Sequence, residues 1–248
     1  MADKGIDRFP RRTAIADALD ERLSPPQRED LLALHLGVDL RIVELLTARL
    51  CHELSGPIAA INNGVELLAE EEPGLGARPN PEFLHDAVTL VADSARRARS
   101  RLQFYRFAYG AGSGSATAGP APDEIAIGFF AASRISGDYA EGIRMLSRDR
   151  QKLACNLLSV GADALPRGGR LVLTVSPLGL EAVGEAAALS PEAREALMLV
   201  TPVAELDSWT VQPYFAGVLA KALHLSLIAT TEPGRVRLRT VACGKNSA

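Results

Sequence analysis

The chain has 248 residues, of which 47% are hydrophobic and 23% charged, and its formal net charge is −3. This length allows one or two domains, each with enough apolar residues for a core. The slightly acidic balance provides no overall field for binding phosphates, so we expect no nucleic-acid partner. No run approaches the roughly 20 apolar residues of a membrane span, so we expect no membrane partner either.

The N-terminus and the cysteines indicate a cytoplasmic protein. The first residues lack the uncharged apolar core of a signal peptide. Cys51, Cys155 and Cys243 lie far apart and outside any metal-binding spacing. An odd number of cysteines leaves one unpaired in any disulfide scheme, which is typical of a reduced compartment. We expect Cys51 to be a small buried residue.

Turn-forming and flexible segments divide the chain into a helical part and a mixed part. The predicted regions are an N-terminal extension (1–37) that is partly helical, a helical hairpin (38–110), a linker (111–122), a mixed α/β domain (123–243) and a short tail (244–248).

The hairpin prediction depends on two long amphipathic patterns. The first runs from residue 38 to about 70, and the second begins with the cap signals Asn80 and Pro81 and continues to about 109. Two such helices joined by a short loop pack antiparallel. In the extension, shorter helical patterns cover 13–23 and 25–36.

The mixed domain alternates helix and strand patterns. The clearest helices cover 123–134 and 148–164, a weak strand covers 139–146, and a stronger strand covers 168–177. A final hairpin turns at Pro233-Gly234. This order predicts an α+β sandwich with helices on one face of a mixed sheet.

His52 is predicted to lie opposite the apolar face of the first long helix. At 100° per residue the apolar stripe centres on Leu50, and His52 lies about 200° from it. Ala48, Ser55, Gly56 and Ala59 share the outer side, and Asn63 lies further along it. We call these five residues and His52 the His52 face.

The short side chains of the His52 face would let another protein's backbone come close. Gly56 costs a helix about 1 kcal/mol relative to alanine, and Pro57 removes a backbone donor one turn past His52. The residues alone leave open an ordinary surface histidine. A metal site is disfavoured, because no second ligand lies at a suitable spacing on this face.

The second helix carries its own apolar stripe, which includes Val88, Leu102 and Tyr105. Two helices cannot bury both stripes, so we expect a homodimer in which two hairpins form a four-helix bundle.

The segment LTARLCHELSGPI (46–58) resembles the phosphoacceptor box of sensor histidine kinases. Residues 146–175 resemble the opening helix and strand of the kinase ATP-binding domain, which has the Bergerat fold, and 209–240 resemble its closing helix and hairpin. On this resemblance His52 is the residue that becomes phosphohistidine, and Glu53 is its acidic neighbour.

The nucleotide-binding residues of that domain are replaced. Asn156 is present, but Val160 stands where the kinase pattern has a second, Mg²⁺-binding asparagine. The segments SPLGLEAVGE (176–185) and LDSWTVQPY (206–214) replace the adenine-binding acid and the glycine-rich lid. Without these groups we expect no ATP binding.

A kinase-like hairpin on a degenerate ATP-binding-like domain resembles the ChpT-type histidine phosphotransferases of alphaproteobacteria. The resemblance implies a two-component phosphorelay in which His52 passes a phosphoryl group between receiver-domain aspartates of a hybrid histidine kinase and response regulators. It implies no cofactor or metal held by this chain, with Mg²⁺ supplied by the receiver. Gly56 departs from related proteins, which commonly have a hydroxyl or amide side chain there, so phosphatase activity is in doubt.

Other roles remain open. Glu53 either orients the imidazole, accepts its proton, or is a solvated helix carboxylate. Arg49 either balances phosphoryl charge at the docking surface or is an ordinary surface cation. The alternatives to phosphotransfer are an ATP-dependent histidine kinase and a non-catalytic dimeric adaptor for receiver domains.

Overall fold

The computed structural model describes residues 39–70, 80–110, 120–139 and 141–242. The helices predicted over 13–23 and 25–36 lie outside the described residues, as do the predicted tail and most of the predicted linker.

The N-terminal part of the described chain is the predicted helical hairpin. Helix α1 spans Leu40–Glu70, and helix α2 spans Pro81–Tyr109. Asn80 caps α2, since its side chain accepts a hydrogen bond from the Glu82 backbone N–H at 3.0 Å, and Pro81 suits the first helical position. The two helices pack closely at Gly64, where an added Cβ would lie 2.6 Å from Cγ2 of Val91.

The second domain is a five-stranded mixed sheet with helices packed against it. Its helices are α3 (Pro122–Phe130), α4 (Arg148–Asp163), α5 (Pro191–Leu197) and α6 (Val211–Ala222). Its strands are β1 (Ile135–Tyr139), β2 (Gly169–Val175), β3 (Leu178–Val183), β4 (Leu225–Glu232) and β5 (Arg235–Ala242). The strand order is β1-β2-β3-β5-β4, in which β1 and β2 are parallel and the other neighbours antiparallel. The predicted α+β class is confirmed.

Helix α4 and the sheet form the centre of the core. Leu153, Leu157 and Leu158 of α4 are fully buried in one cluster with the sheet residues Leu171 and Leu173. At Gly161 an added Cβ would lie 2.3 Å from Cδ2 of Leu180. Glycine therefore lets α4 approach the sheet closely.

One predicted strand is wrong. The pattern over 139–146 predicts a strand, but the strand ends at Tyr139, and Glu141–Met145 form a 3₁₀ helix. Strand β1 lies at the sheet edge, where its three middle residues are exposed. An edge strand of this kind carries little periodic signal, and its parallel pairing with β2 depends on residues distant in sequence.

None of the helices in the four described ranges is both long and apolar enough to cross a membrane.

Candidate functional site

The His52 face lies on the surface of α1. His52 and the five short or polar residues grouped with it are all exposed. An added Cβ at Gly56 would meet no atom within 4 Å. The protein surface beside His52 is therefore open, so a partner's main chain has room to approach the imidazole.

The helix turn after His52 is locally altered. The Ser55 hydroxyl donates a 2.7 Å hydrogen bond to the Cys51 carbonyl oxygen, within its own helix, and Pro57 has no N–H to donate to the Glu53 carbonyl. Cys51 is exposed, so the expectation that it is buried is wrong. On a helical wheel Cys51 lies only 100° from Leu50, but α2 does not cover that side of α1.

Glu53 points towards α2, where it forms an ion pair with Arg101. Both side chains are half-buried, and the Arg101 guanidinium also lies over the Phe129 ring, 5.7 Å from its centroid. Sequence reasoning did not single out Arg101 and so missed this partner. The Glu53 carboxylate therefore joins the two hairpin helices beside His52, and its direct role in the chemistry stays a prediction.

Arg49 is buried, which contradicts both predicted locations, a docking surface and an ordinary surface position. The residue is 8% exposed. Its Nη2 donates to both carboxylate oxygens of Asp163, at 2.9 and 2.7 Å, and Nη1 lies 3.5 Å from the Ser208 carbonyl oxygen. The wheel places Arg49 beside the apolar stripe, and only the packing of the second domain there covers it.

Electrostatics hold Arg49 in its charged form. Burial alone would lower the pKa of Arg49, but Asp163 and the neighbouring Tyr105 and Tyr109 hold it above the ordinary value. Burial raises the pKa of Asp163, and the Arg49 guanidinium partly offsets that rise. The pair therefore connects α1 to the C-terminal end of α4 through a charged contact.

A second polar network joins α2 to the second domain. The buried Asn156 donates through Nδ2 to the carbonyl oxygens of Ala108, at 3.0 Å, and Lys152, at 2.8 Å. Its Oδ1 accepts from Gln212 Nε2 at 2.9 Å, and Gln212 in turn accepts a hydrogen bond from the Tyr109 hydroxyl. The asparagine that resembles a kinase residue thus takes part in attaching the hairpin.

The position of the second kinase asparagine belongs to the apolar core. Val160 is 1% exposed and packs in the cluster of α4 and the sheet. Across the described ranges, no group of three or more histidine, cysteine, aspartate or glutamate side chains is placed to hold a metal ion.

Trp209 is a surface residue that sequence reasoning did not single out. It is 74% exposed, and it follows Ser208, whose carbonyl oxygen lies near Arg49. A lone tryptophan gives no periodic signal, so only its exposure beside the hairpin distinguishes it.

Comparisons with known proteins identify the family. Over 220 residues the chain is 34% identical to the protein phosphotransferase ChpT of Brucella abortus (strain 2308), a match that covers 82% of this chain and 94% of that protein. The chain belongs to the ChpT family of histidine phosphotransferases. Its residues 122–234 also match the family model described as the histidine phosphotransferase C-terminal domain.

A solved structure agrees with the ChpT assignment. A structure described as a bacterial phosphotransferase is 27% identical, with a TM-score of 0.64, over 82% of this chain and 97% of that one. The ChpT family membership confirms the predicted resemblance. It makes the protein a histidine phosphotransferase rather than an ATP-dependent kinase.

Proposed function

We propose that this protein is a phosphorelay intermediate in which His52 carries the phosphoryl group between receiver-domain aspartates. The observation that carries this proposal is the exposed imidazole of His52 on a surface of short side chains, in a chain of the ChpT family. Neither residue type nor exposure alone would distinguish His52 from His85, which is also exposed on α2.

Phosphoryl transfer requires this chain mainly to position the imidazole of His52. A ring nitrogen of neutral His52 attacks the phosphorus of an aspartyl phosphate in line, the N–P bond forms, and the bond from phosphorus to the aspartate oxygen breaks. The aspartate leaves as a carboxylate. In the second transfer, a carboxylate oxygen of another receiver aspartate attacks the phosphorus, the O–P bond forms, and the N–P bond breaks to return the imidazole. Neutral imidazole is abundant near physiological pH, and phosphoryl transfer depends mainly on alignment and charge stabilisation.

The receiver supplies Mg²⁺ in this proposal, and this chain holds no cofactor. The docking surface consists of Ala48, Ser55, Gly56, Ala59 and Asn63 around the imidazole. Since Gly56 adds no side chain to this surface, the receiver backbone can approach His52 closely. We add Trp209 of the second domain to this surface, because it is exposed and directly follows Ser208 in the chain, whose carbonyl oxygen lies near Arg49.

The protein acts as a homodimer in this proposal. Large apolar side chains remain exposed along the hairpin, among them Val65 at 51%, Val88 at 55% and Leu102 at 52%. Leu50 packs instead against the aromatic cluster at the end of α2. A second hairpin would cover the exposed stripe and complete a four-helix bundle. We place this dimer in the cytoplasm, where the hybrid kinase and response-regulator receivers act.

Transfer from a radiolabelled phosphoreceiver tests the proposal. We expect acid-labile label to move to the wild-type chain and back to a second receiver. His52→Ala should take up no label but should still bind the receiver, and the control His85→Ala should transfer at the wild-type rate. Receiver binding without labelling would favour a non-catalytic adaptor, and labelling by ATP alone would favour a kinase.

A further inference from the structure

Two ion pairs flank His52 on its own helix and lead to different parts of the molecule. Arg49, three residues before His52, pairs with Asp163 of the second domain. Glu53, one residue after it, pairs with Arg101 of α2. Around the helix, Arg49 lies about 60° and Glu53 about 100° from His52. Both pairs therefore hold residues beside His52 in the same turn, while the imidazole itself stays exposed.

The helix needs external support at this point. Gly56 has high conformational freedom, and Pro57 leaves the Glu53 carbonyl without its usual helical donor. Backbone hydrogen bonds therefore fix the turn after His52 less firmly than in a regular helix. The ion pairs of Arg49 and Glu53 are therefore more important for the position of the imidazole.

The Arg49–Asp163 contact is the more directional of the two. Both oxygens of the carboxylate accept from Nη2, and Nη1 approaches the Ser208 carbonyl oxygen. Arg49 Nε is buried without a hydrogen-bond partner among the described residues, so the guanidinium depends on its Nη groups. Asp163 keeps 35% of its side chain exposed, yet Arg49 itself is too buried to find an alternative partner in water.

We propose that Asp163 is a positioning residue for phosphotransfer, which acts through Arg49 to fix the His52 turn of α1 against the second domain. The effect on transfer rests on the proposed function of His52. The second domain then contributes to the reaction without binding a nucleotide, since it sets where the imidazole lies. In-line attack tolerates little displacement, so a loosened turn slows transfer without preventing receiver binding.

Asp163→Asn tests this proposal, because it keeps the side-chain size and one acceptor but removes the charge. We expect faster hydrogen exchange of the backbone amides over residues 46–56, with unchanged exchange in α2. The transfer rate at saturating phosphoreceiver should fall about tenfold, while the dissociation constant of the receiver stays within about twofold.

The matched control is Asp123→Asn. Asp123 also accepts two hydrogen bonds from one arginine, Arg144, at 2.9 and 2.6 Å, but both residues belong to the second domain. This variant should change neither the exchange of residues 46–56 nor the transfer rate. Wild-type exchange and transfer in Asp163→Asn would overturn the proposal.

A double variant separates positioning from simple stabilisation. Arg49→Met with Asp163→Leu replaces both charged side chains by apolar ones, a change that often restores the stability lost on breaking such a pair. A stable double variant that still transfers slowly supports the positioning role, and one that transfers at the wild-type rate overturns it. If wild-type protein accepts no phosphoryl group at all, the proposed function fails, and the exchange data alone decide whether Asp163 holds the turn.

Discussion

The helical hairpin and the second domain bury their apolar side chains in different ways. In the second domain, a continuous cluster from α4, the sheet and the surrounding helices is almost fully buried. In the described hairpin, the buried apolar residues are Ala87 and four residues at the end of α2, where the second domain packs, namely Phe104, Tyr105, Phe107 and Ala108. Most of the hairpin therefore has no core of its own.

This difference indicates where each region obtains its stability and its function. The second domain folds around its own core and uses polar residues to attach the hairpin. The hairpin depends on the second domain at one end, and along the rest it presents two surfaces to other molecules. In our proposal, its exposed apolar side chains pack against a second copy of the chain, and its His52 face binds a receiver.

Leu102→Asp tests whether the exposed apolar side chains of the hairpin are covered by a second copy. In the proposed dimer this residue is covered by the partner, and an unpaired charge there costs about 3–5 kcal/mol. We expect the mass from light scattering to fall from dimer to monomer at micromolar concentration. Met145→Asp is the control, because Met145 is 88% exposed and lies outside the hairpin. A wild-type monomer, or a variant that remains dimeric, would contradict the bundle.

Leu157→Ala tests whether the second domain holds the main apolar core. Leu157 is 0% exposed in the core of the second domain, and removing a buried leucine side chain costs about 2–5 kcal/mol. Urea denaturation should show this loss in the free energy of unfolding, while the dimer mass stays unchanged. The same measurement on Met145→Ala should show a change within about 0.5 kcal/mol. A similar loss in both variants would mean that the second domain does not hold the main core.

Ala59→Arg should separate docking from folding. The residue is exposed on the His52 face, so we expect an unchanged melting temperature. A long side chain there displaces the receiver, and transfer in both directions should slow about a hundredfold. Ala69→Arg is matched to it, as an exposed alanine on the same helix about 15 Å further along the axis. Wild-type transfer by Ala59→Arg would refute a docking role for the short side chains.

Trp209→Ala tests whether the second domain, as well as the hairpin, contacts the receiver. We expect about tenfold weaker receiver binding in titration calorimetry, since an exposed tryptophan buries a large area on docking. Ile228→Ala removes another exposed apolar side chain, on β4, and should bind normally. Equal affinities in the two variants would confine docking to the hairpin.

Asp123→Asn should give the smallest effect, and one that depends on pH. A hydrogen bond from Arg144 holds the pKa of Asp123 below its ordinary value of 3.8. The folded pKa is therefore lower than the unfolded one, so the stabilisation is complete above the unfolded pKa and is lost as the pH falls through the folded pKa. The variant should be slightly less stable at pH 7, and the difference should vanish in acid unfolding measurements. A difference that grows towards low pH would contradict this sign.

Local periodicity explains what the sequence could predict. The 3.6-residue repeat of α1 places the short residues of the His52 face opposite the apolar stripe, and the structure leaves them exposed. Strand β1 was misplaced because its pairing partner, β2, begins more than thirty residues later. Arg49 was misplaced, and the ion pair of Glu53 was not foreseen, for the same reason: their partners Asp163 and Arg101 are far away in sequence. A helical wheel reports faces but not the elements that cover them.

The use of Asn156 in attaching the hairpin makes the loss of nucleotide chemistry difficult to reverse. Its amide is already engaged by Ala108, Lys152 and Gln212, so freeing it would weaken the attachment of the hairpin. An asparagine introduced at Val160 would enter an apolar core, where an unpaired amide is costly. Single substitutions towards a nucleotide site would therefore damage the existing fold before they offered any new activity. The packing around Asn156 and Val160 therefore opposes a stepwise return to nucleotide binding.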